Sequence, residues 1–252
     1  MTDLRLSLSW ESRDPPQADD AYKLSRFVTG LPNFDPIYQS WLKSPTTKEE
    51  TVPVPVSEVQ AKQLLIDNIT RYEASGLPWP ELGSDVWGGH AGPPPYDFRK
   101  SSYADTHCSV GAFGRHAAIY PNYVLMRLSR LRPLTGRAWR ASELRPVMKF
   151  AREIWKPAEM CAMLSFYILN LPKVPDPTFA TGERILQPRI GWITYLPPNL
   201  AVRAKCPADV EVDTLEDGAA LVTLCEEPFE KTDVKGLARL HALEAALRPL
   251  QS

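Results

Sequence analysis

From Leu4 to Trp10 apolar and polar positions alternate strictly: Leu4, Leu6, Leu8 and Trp10 are separated by Arg5, Ser7 and Ser9. A spacing of two places all four apolar side chains on one side of an extended chain, which predicts a half-buried strand. The period then changes. Asp14 precedes Pro15 and Pro16, and Ala18, Tyr22, Leu24 or Ser25, and Val28 follow at helical spacing, so a first helix is expected over 17–29 with Gly30 as its stop. Asp35-Pro36 opens a short second helix expected to run through Trp41 and Leu42, and 46–55 reads as a Pro/Thr/Val connector. Ser57 and Gln60 form a capping-box pattern at the start of a third helix, expected to reach about Glu73 with Val59, Gln63, Ile66 and Ile69 or Thr70 near one face.

Strands dominate after this point. A weak strand is expected over 82–87, and two neighbouring strands over 103–113 and 123–128. The short connection between the latter two favours an antiparallel pair. Thr135 or Ser142 opens a long helix running to Trp155, with Leu144, Val147, Met148, Ala151 and Trp155 on one side; Pro146, near its first turn, favours Ser142 as the cap. Further strands are expected over 160–169, 189–196, 210–212 and 219–224, and Asp233 caps a last helix over 234–247 with Leu237, Leu240, Leu243 or Ala242, and Leu247 as its apolar stripe. The order β, three helices, strands, helix, strands, helix predicts an α+β fold. Its mostly antiparallel or mixed sheet carries N-terminal helices and two further packing helices. No internal repeat interrupts the pattern and no linker is polar enough to demand a second unit, so residues 1–252 are expected to form a single domain.

Composition adds one point. Proline makes up 25 of 252 residues, about twice its usual share, and is spread along the chain, which predicts rigid loops between short elements. The amino terminus, MTDLRLSLSW, has no basic region followed by an apolar run, so no signal peptide is expected. The longest uncharged runs, 160–172 and 190–202, are thirteen residues each, short of the ~18 that a membrane span requires. Cys108, Cys161, Cys206 and Cys225 include no Cys-x-x-Cys pair and read as free thiols of a reducing compartment.

Catalytic and metal-binding patterns are missing. The chain has no glycine-rich phosphate cradle of either standard type, no Gly-x-Ser-x-Gly and no His-Glu-x-x-His. His90, His107, His116 and His241 are scattered, and adjacent strand residues such as His107 and Cys108 point to opposite faces, so no metal or cofactor is expected. An enzyme of unrecognised type would have to use Cys108 or one of these histidines in a cleft. Cys108 lies in an apparent core strand, where burial makes a thiol a poor nucleophile. No lysine has a glutamate two residues before it, so the Glu-x-Lys pair of metal-dependent nucleases is lacking; Asp233-x-Lys235 comes nearest.

A formal net charge of −1 hides two opposite blocks. Between 115 and 152 there are nine Arg or Lys residues and one acid, Glu143. Between 206 and 233 there are nine acids and one base, Lys231. Such blocks either pair with each other as solvated faces or form a binding surface. As a binding surface, Asp209, Glu211, Asp213, Glu216, Asp217, Glu226, Glu227 and Glu230 would meet a basic partner. The basic block lacks clustered aromatics, so direct nucleic-acid binding is not expected.

Several segments, in order, resemble the immunity protein 52 family of bacterial polymorphic-toxin systems. These are the opening strand ending Ser9-Trp10-Glu11, the run from Leu31 to Trp41, Leu82 to Gly88 and Thr106 to Gly111. Glu153-Ile-Trp155, Arg189-Ile-Gly-Trp-Ile-Thr-Tyr-Leu196, and 219–229 with the terminal helix complete the pattern. Trp10, Trp87, Trp155, Gly191 and Trp192 are matched positions that read first as core and turn residues. The 92–101 loop and the 172–187 segment have no placed counterpart. The resemblance implies a non-enzymatic antitoxin that binds a cognate toxin stoichiometrically. It implies a restriction-endonuclease-like nuclease effector of a type VI secretion system as that toxin, and the cytoplasm as the compartment. A structural or adaptor component of a secretion machine is the other non-catalytic reading.

Overall fold

The computed structural model describes residues 4–10, 19–39, 41–42, 51–52, 57–69, 75–78, 82–90, 104–112, 122–128, 132, 135–164, 173–175, 183–185 and 189–250. The first strand, β1 (Leu4–Trp10), leads to helix α1 (Asp19–Gly30) and two 3-10 turns, Leu31–Asn33 and Pro36–Gln39. Short strands β2 (Trp41–Leu42) and β3 (Thr51–Val52) precede helix α2 (Glu58–Asp67). Three longer strands follow, β4 (Leu82–His90), β5 (Ala104–Ala112) and β6 (Asn122–Leu128), and then helix α3 (Ala141–Trp155). Next come β7 (Glu159–Leu164), the small hairpin β8 (Lys173–Pro175) and β9 (Glu183–Ile185), β10 (Ile193–Leu196) and the one-turn α4 (Pro198–Ala201). The chain closes with the hairpin β11 (Glu211–Thr214) and β12 (Ala220–Thr223) and helix α5 (Val234–Leu247).

Ten strands form one sheet in the order β11-β12-β10-β7-β1-β6-β5-β4-β2-β3, with every described pairing antiparallel. The α+β expectation therefore holds, with the sheet antiparallel instead of mixed. β1 lies in the middle, pairing Leu4, Leu6 and Leu8 with Leu128, Met126 and Val124 on one side and with Leu164, Ala162 and Met160 on the other. Ser7 and Ser9 on the opposite face are also buried, where alternation alone predicts an exposed face, because Arg189 lies across that part of the sheet and donates to Ser7 Oγ at 3.3 Å. The leucine face carries α1 and α3: Trp10 stacks on Trp155 at 5.1 Å between ring centroids, and Phe27 meets the edge of Trp155 at 5.8 Å. Burial of each such ring contributes about 1.5–3 kcal/mol.

Several local readings are corrected. The expected helix from Asp35 to Leu42 is a 3-10 turn followed by strand β2, because the Asp35 carboxylate accepts from the Ile37 N–H (3.0 Å) and closes a tight turn. The Ser57–Gln60 capping box is present, yet α2 ends at Asp67 and turns Val59 (78% exposed) and Ile66 (55%) to solvent, burying Ala61 instead. Its core side is set by packing on α1, not by its apolar spacing. Helix α3 is capped two residues earlier than expected: Arg140 is the cap residue, its N–H donating to the Glu143 carboxylate at 3.0 Å, and Ser142 lies inside the first turn. Only Ile193–Leu196 of the 189–196 run is strand. Gly191 precedes it at a close approach, where an added Cβ would lie 2.4 Å from the Ala162 carbonyl oxygen. The ends of the readings at 17–18, 70–73 and 165–169 fall outside the described residues.

Candidate functional site

The acidic block folds onto the basic one. Glu211 and Asp213 sit on the edge strand β11 and Asp217 in the turn after it, while Arg145, Lys149 and Arg152 form one stripe of α3. Arg145 pairs with Glu211, Lys149 with Asp213 at 2.8 Å, and Arg152 with Asp217. The match is geometric: residues four and seven apart on a helix rise along one side, as alternate residues do along a strand. Arg152 also donates to the Tyr195 hydroxyl at 3.3 Å. Asp209 pairs with Arg239 of α5 at 3.2 Å, and Glu227 with Arg140 at 3.7 Å. Glu226 accepts from the Ser142 hydroxyl and backbone N–H at the start of α3, where the helix dipole favours an anion. Glu230 is partly buried, and Glu216 stands exposed in the β11–β12 turn with no cation beside it among the described residues. Most of the eight carboxylates thus already have an intramolecular partner.

A second polar cluster lies on the face of the sheet away from the leucines. The Asp85 carboxylate of β4 accepts from Nε2 of His107 on β5 at 2.5 Å, and the Tyr123 hydroxyl of β6 reaches Nδ1 of the same ring at 3.2 Å. Ser109 lies directly opposite both Asp85 and Tyr123 in register, so each reaches His107 along a diagonal of the ladder. Beside them Arg127 donates to the buried Asp105 at 3.0 Å. Burial, with the Asp85 charge added, pushes the Tyr123 phenol up to about 12, so it is a neutral hydrogen-bonding group. Among these residues sequence reasoning weighed His107 as a ligand or catalytic candidate and Arg127 as part of the basic block; they become a cluster with the others only once three strands are paired. The alternation of Tyr123, Leu125 and Arg127 was the visible signal of an outward row.

Cys108 faces the core, fully buried, and burial pushes its thiol well above the ordinary range. It shares no site with His107, which is on the other face of β5. His241 is exposed on α5; His116 and the side chain of His90 lie outside the described residues. Among the described residues no three His, Cys, Asp or Glu side chains converge to hold a metal, and no helix is long and apolar enough to cross a membrane.

The profile of immunity protein 52 matches residues 6–248, nearly the whole chain. The chain belongs to the immunity protein 52 family. As an immunity protein it is a non-enzymatic inhibitor with a toxin as its partner. The matched tryptophans of this immunity protein are structural: Trp10 and Trp155 stack on each other, and Trp192 is buried with its indole N–H donating to the Cys225 carbonyl at 2.7 Å. The side chain of Trp87 lies outside the described residues. Among solved structures, the Pseudomonas aeruginosa T6SS protein PA0821 is similar in fold, with a TM-score of 0.51 and 12% identity over 98% of this chain and 73% of that one. No curated protein matches the chain in sequence.

Proposed function

We propose that this immunity protein neutralises a nuclease effector of a type VI secretion system, inside the cytoplasm, by forming a stoichiometric complex through one 252-residue domain. The family match over residues 6–248 carries the immunity role. The fold relative from Pseudomonas aeruginosa, itself a T6SS protein, supports the type VI context. The nuclease target rests on the family resemblance of the sequence, and one core cluster reaching from Leu4 to Leu247 supports the single unit.

The rim of Asp209, Glu211, Asp213, Glu216, Asp217, Glu226, Glu227 and Glu230 is the proposed electrostatic contact, in a restricted form. Carboxylates paired within the chain add little affinity, because a partner must compete with Arg145, Lys149 and Arg152 for them. Their field still steers a basic surface, so the rim acts chiefly on the association rate.

The test is co-expression with the toxin domain encoded beside this chain, scored by survival and by co-purification. Survival with a one-to-one complex is expected, together with suppression of DNA cleavage by the purified toxin. Survival with no complex recovered would remove the stoichiometric mechanism, and a toxin that degrades no nucleic acid would remove the nuclease target.

A further inference from the structure

The face of the sheet opposite the leucines is covered unevenly. At its β1–β7 side Ser7, Ser9, Cys161 and Met163 are buried, and Arg189 lies across them, donating to Ser7 Oγ at 3.3 Å and standing 3.5 Å from Glu159. At its β4–β6 side the cluster around His107 is open: the Asp85 side chain is 53% exposed and that of Arg127 44%. The described residues of this face that are not buried are Asp85, His107, Ser109, Tyr123, Leu125 and Arg127, and among them Tyr123 and Arg127 are of the types enriched at interface hot spots.

Two features together set Asp85 apart from the cation-paired carboxylates of the acidic rim. First, among the described residues no arginine or lysine pairs with it; its side chain bonds His107, through Oδ1. Second, it sits within a nine-residue strand, held by a hydrogen-bond chain that runs from Nε2 of His107 through Nδ1 to the Tyr123 hydroxyl, the two rings meeting edge-on at 5.1 Å. A group already fixed in place loses little freedom on binding. An exposed carboxylate with one oxygen outside that chain, beside a phenol and the aliphatic Leu125, fits a guanidinium or ammonium group: the carboxylate takes the charge and the ring takes the stem.

We propose that this open quarter of the sheet is the anchoring surface for the toxin, with an arginine or lysine of the toxin seated on Asp85 against Tyr123. The proposal deepens the immunity reading and rests on it: the rim steers, and the sheet face holds. The Arg127–Asp105 pair borders the contact and keeps the strand carrying Tyr123 tied to its neighbour.

The experiment measures binding of the purified full chain to the toxin domain encoded beside it, with association and dissociation resolved. Asp85→Lys should weaken the complex by at least about thirtyfold and Tyr123→Ala by about tenfold or more, both mainly through faster dissociation. Glu153→Gln, on the exposed side of α3, should bind as the parent does. Asp85→Asn removes the charge at a half-exposed site without changing shape, and keeps the test decisive if Tyr123→Ala unfolds. Parent-like affinity, within about twofold, for Asp85→Lys and Asp85→Asn would overturn the proposal while leaving the immunity reading intact. Failure of the parent chain to bind that toxin would overturn both for this pair.

Discussion

The Arg132 guanidinium lies 2.8 Å from the carboxylate of Asp35, ninety-seven residues earlier in the chain. The same side chain donates to Glu143 at 2.8 Å and lies over the Trp139 ring at 4.8 Å. Arg132 therefore joins the 3-10 turn after α1 to the first turn of α3. Asp35 is 1% exposed and the Arg132 side chain 12%, so removing the cation would strand a buried carboxylate. Arg132→Ala should destabilise the fold by about 3–5 kcal/mol in urea denaturation. A cost below about 1 kcal/mol would show that water replaces the guanidinium.

The three pairs of α3 with the β11–β12 hairpin behave differently because each has an exposed member. Replacing Arg145, Lys149 or Arg152 by glutamine should cost about 0–1 kcal/mol singly. The triple replacement leaves Glu211, Asp213 and Asp217 facing one another without their cations, so its loss of stability should shrink as salt is added. Urea melts at two ionic strengths check this. By freeing the rim, the same variant should also associate faster with a basic toxin.

Gly191 is required by proximity, not by backbone angle. Gly191→Ala would drive a methyl group to within 2.4 Å of the Ala162 carbonyl oxygen and 2.9 Å of Met163 Cγ, and so push β10 away from β7. A loss of about 1–3 kcal/mol is expected, read as a lower melting temperature.

Helix α3 ends at Lys156, whose φ of 46° is left-handed and costs a side-chain-bearing residue about 1–2 kcal/mol. Lys156→Gly should stabilise the protein by up to about 1 kcal/mol, measured by chemical denaturation.

Cys161 is buried, and burial lifts its thiol from 9.0 to about 12; Cys108 is raised in the same way. A raised folded value means that the native state holds the proton longer than the unfolded chain. Stability from these thiols is complete below about pH 9 and falls as pH rises from there towards 12. Tyr123 adds the same sign between about 10 and 12. Cys161→Ala should flatten part of the alkaline decline. At pH 8 an exposed-thiol reagent should modify the half-exposed Cys206 and Cys225 in the native protein, and Cys108 and Cys161 only after denaturation.

Residue order alone determined the elements whose signals are local. The period-two run of β1, the capping box of α2, the Asp233 cap of α5 and the single-sided stripe of α3 all rest on contacts within a few residues. It also determined that two charge blocks exist, and it carried the family likeness. Tertiary structure decided what required distant partners. α2 faces Ala61 inward and Val59 outward because α1 covers one side of it, a choice invisible to its own spacing. β1 is central because β6 and β7, more than a hundred residues later, pair along both its edges, and both its faces are buried because α1 and α3 pack on one and Arg189 lies across the other. The acidic block became a paired rim because the β11–β12 hairpin lies beside α3. Asp85, His107 and Tyr123 became one cluster because ladder register, set by the sum of many backbone hydrogen bonds, brings three strands together, and no single residue encodes that sum.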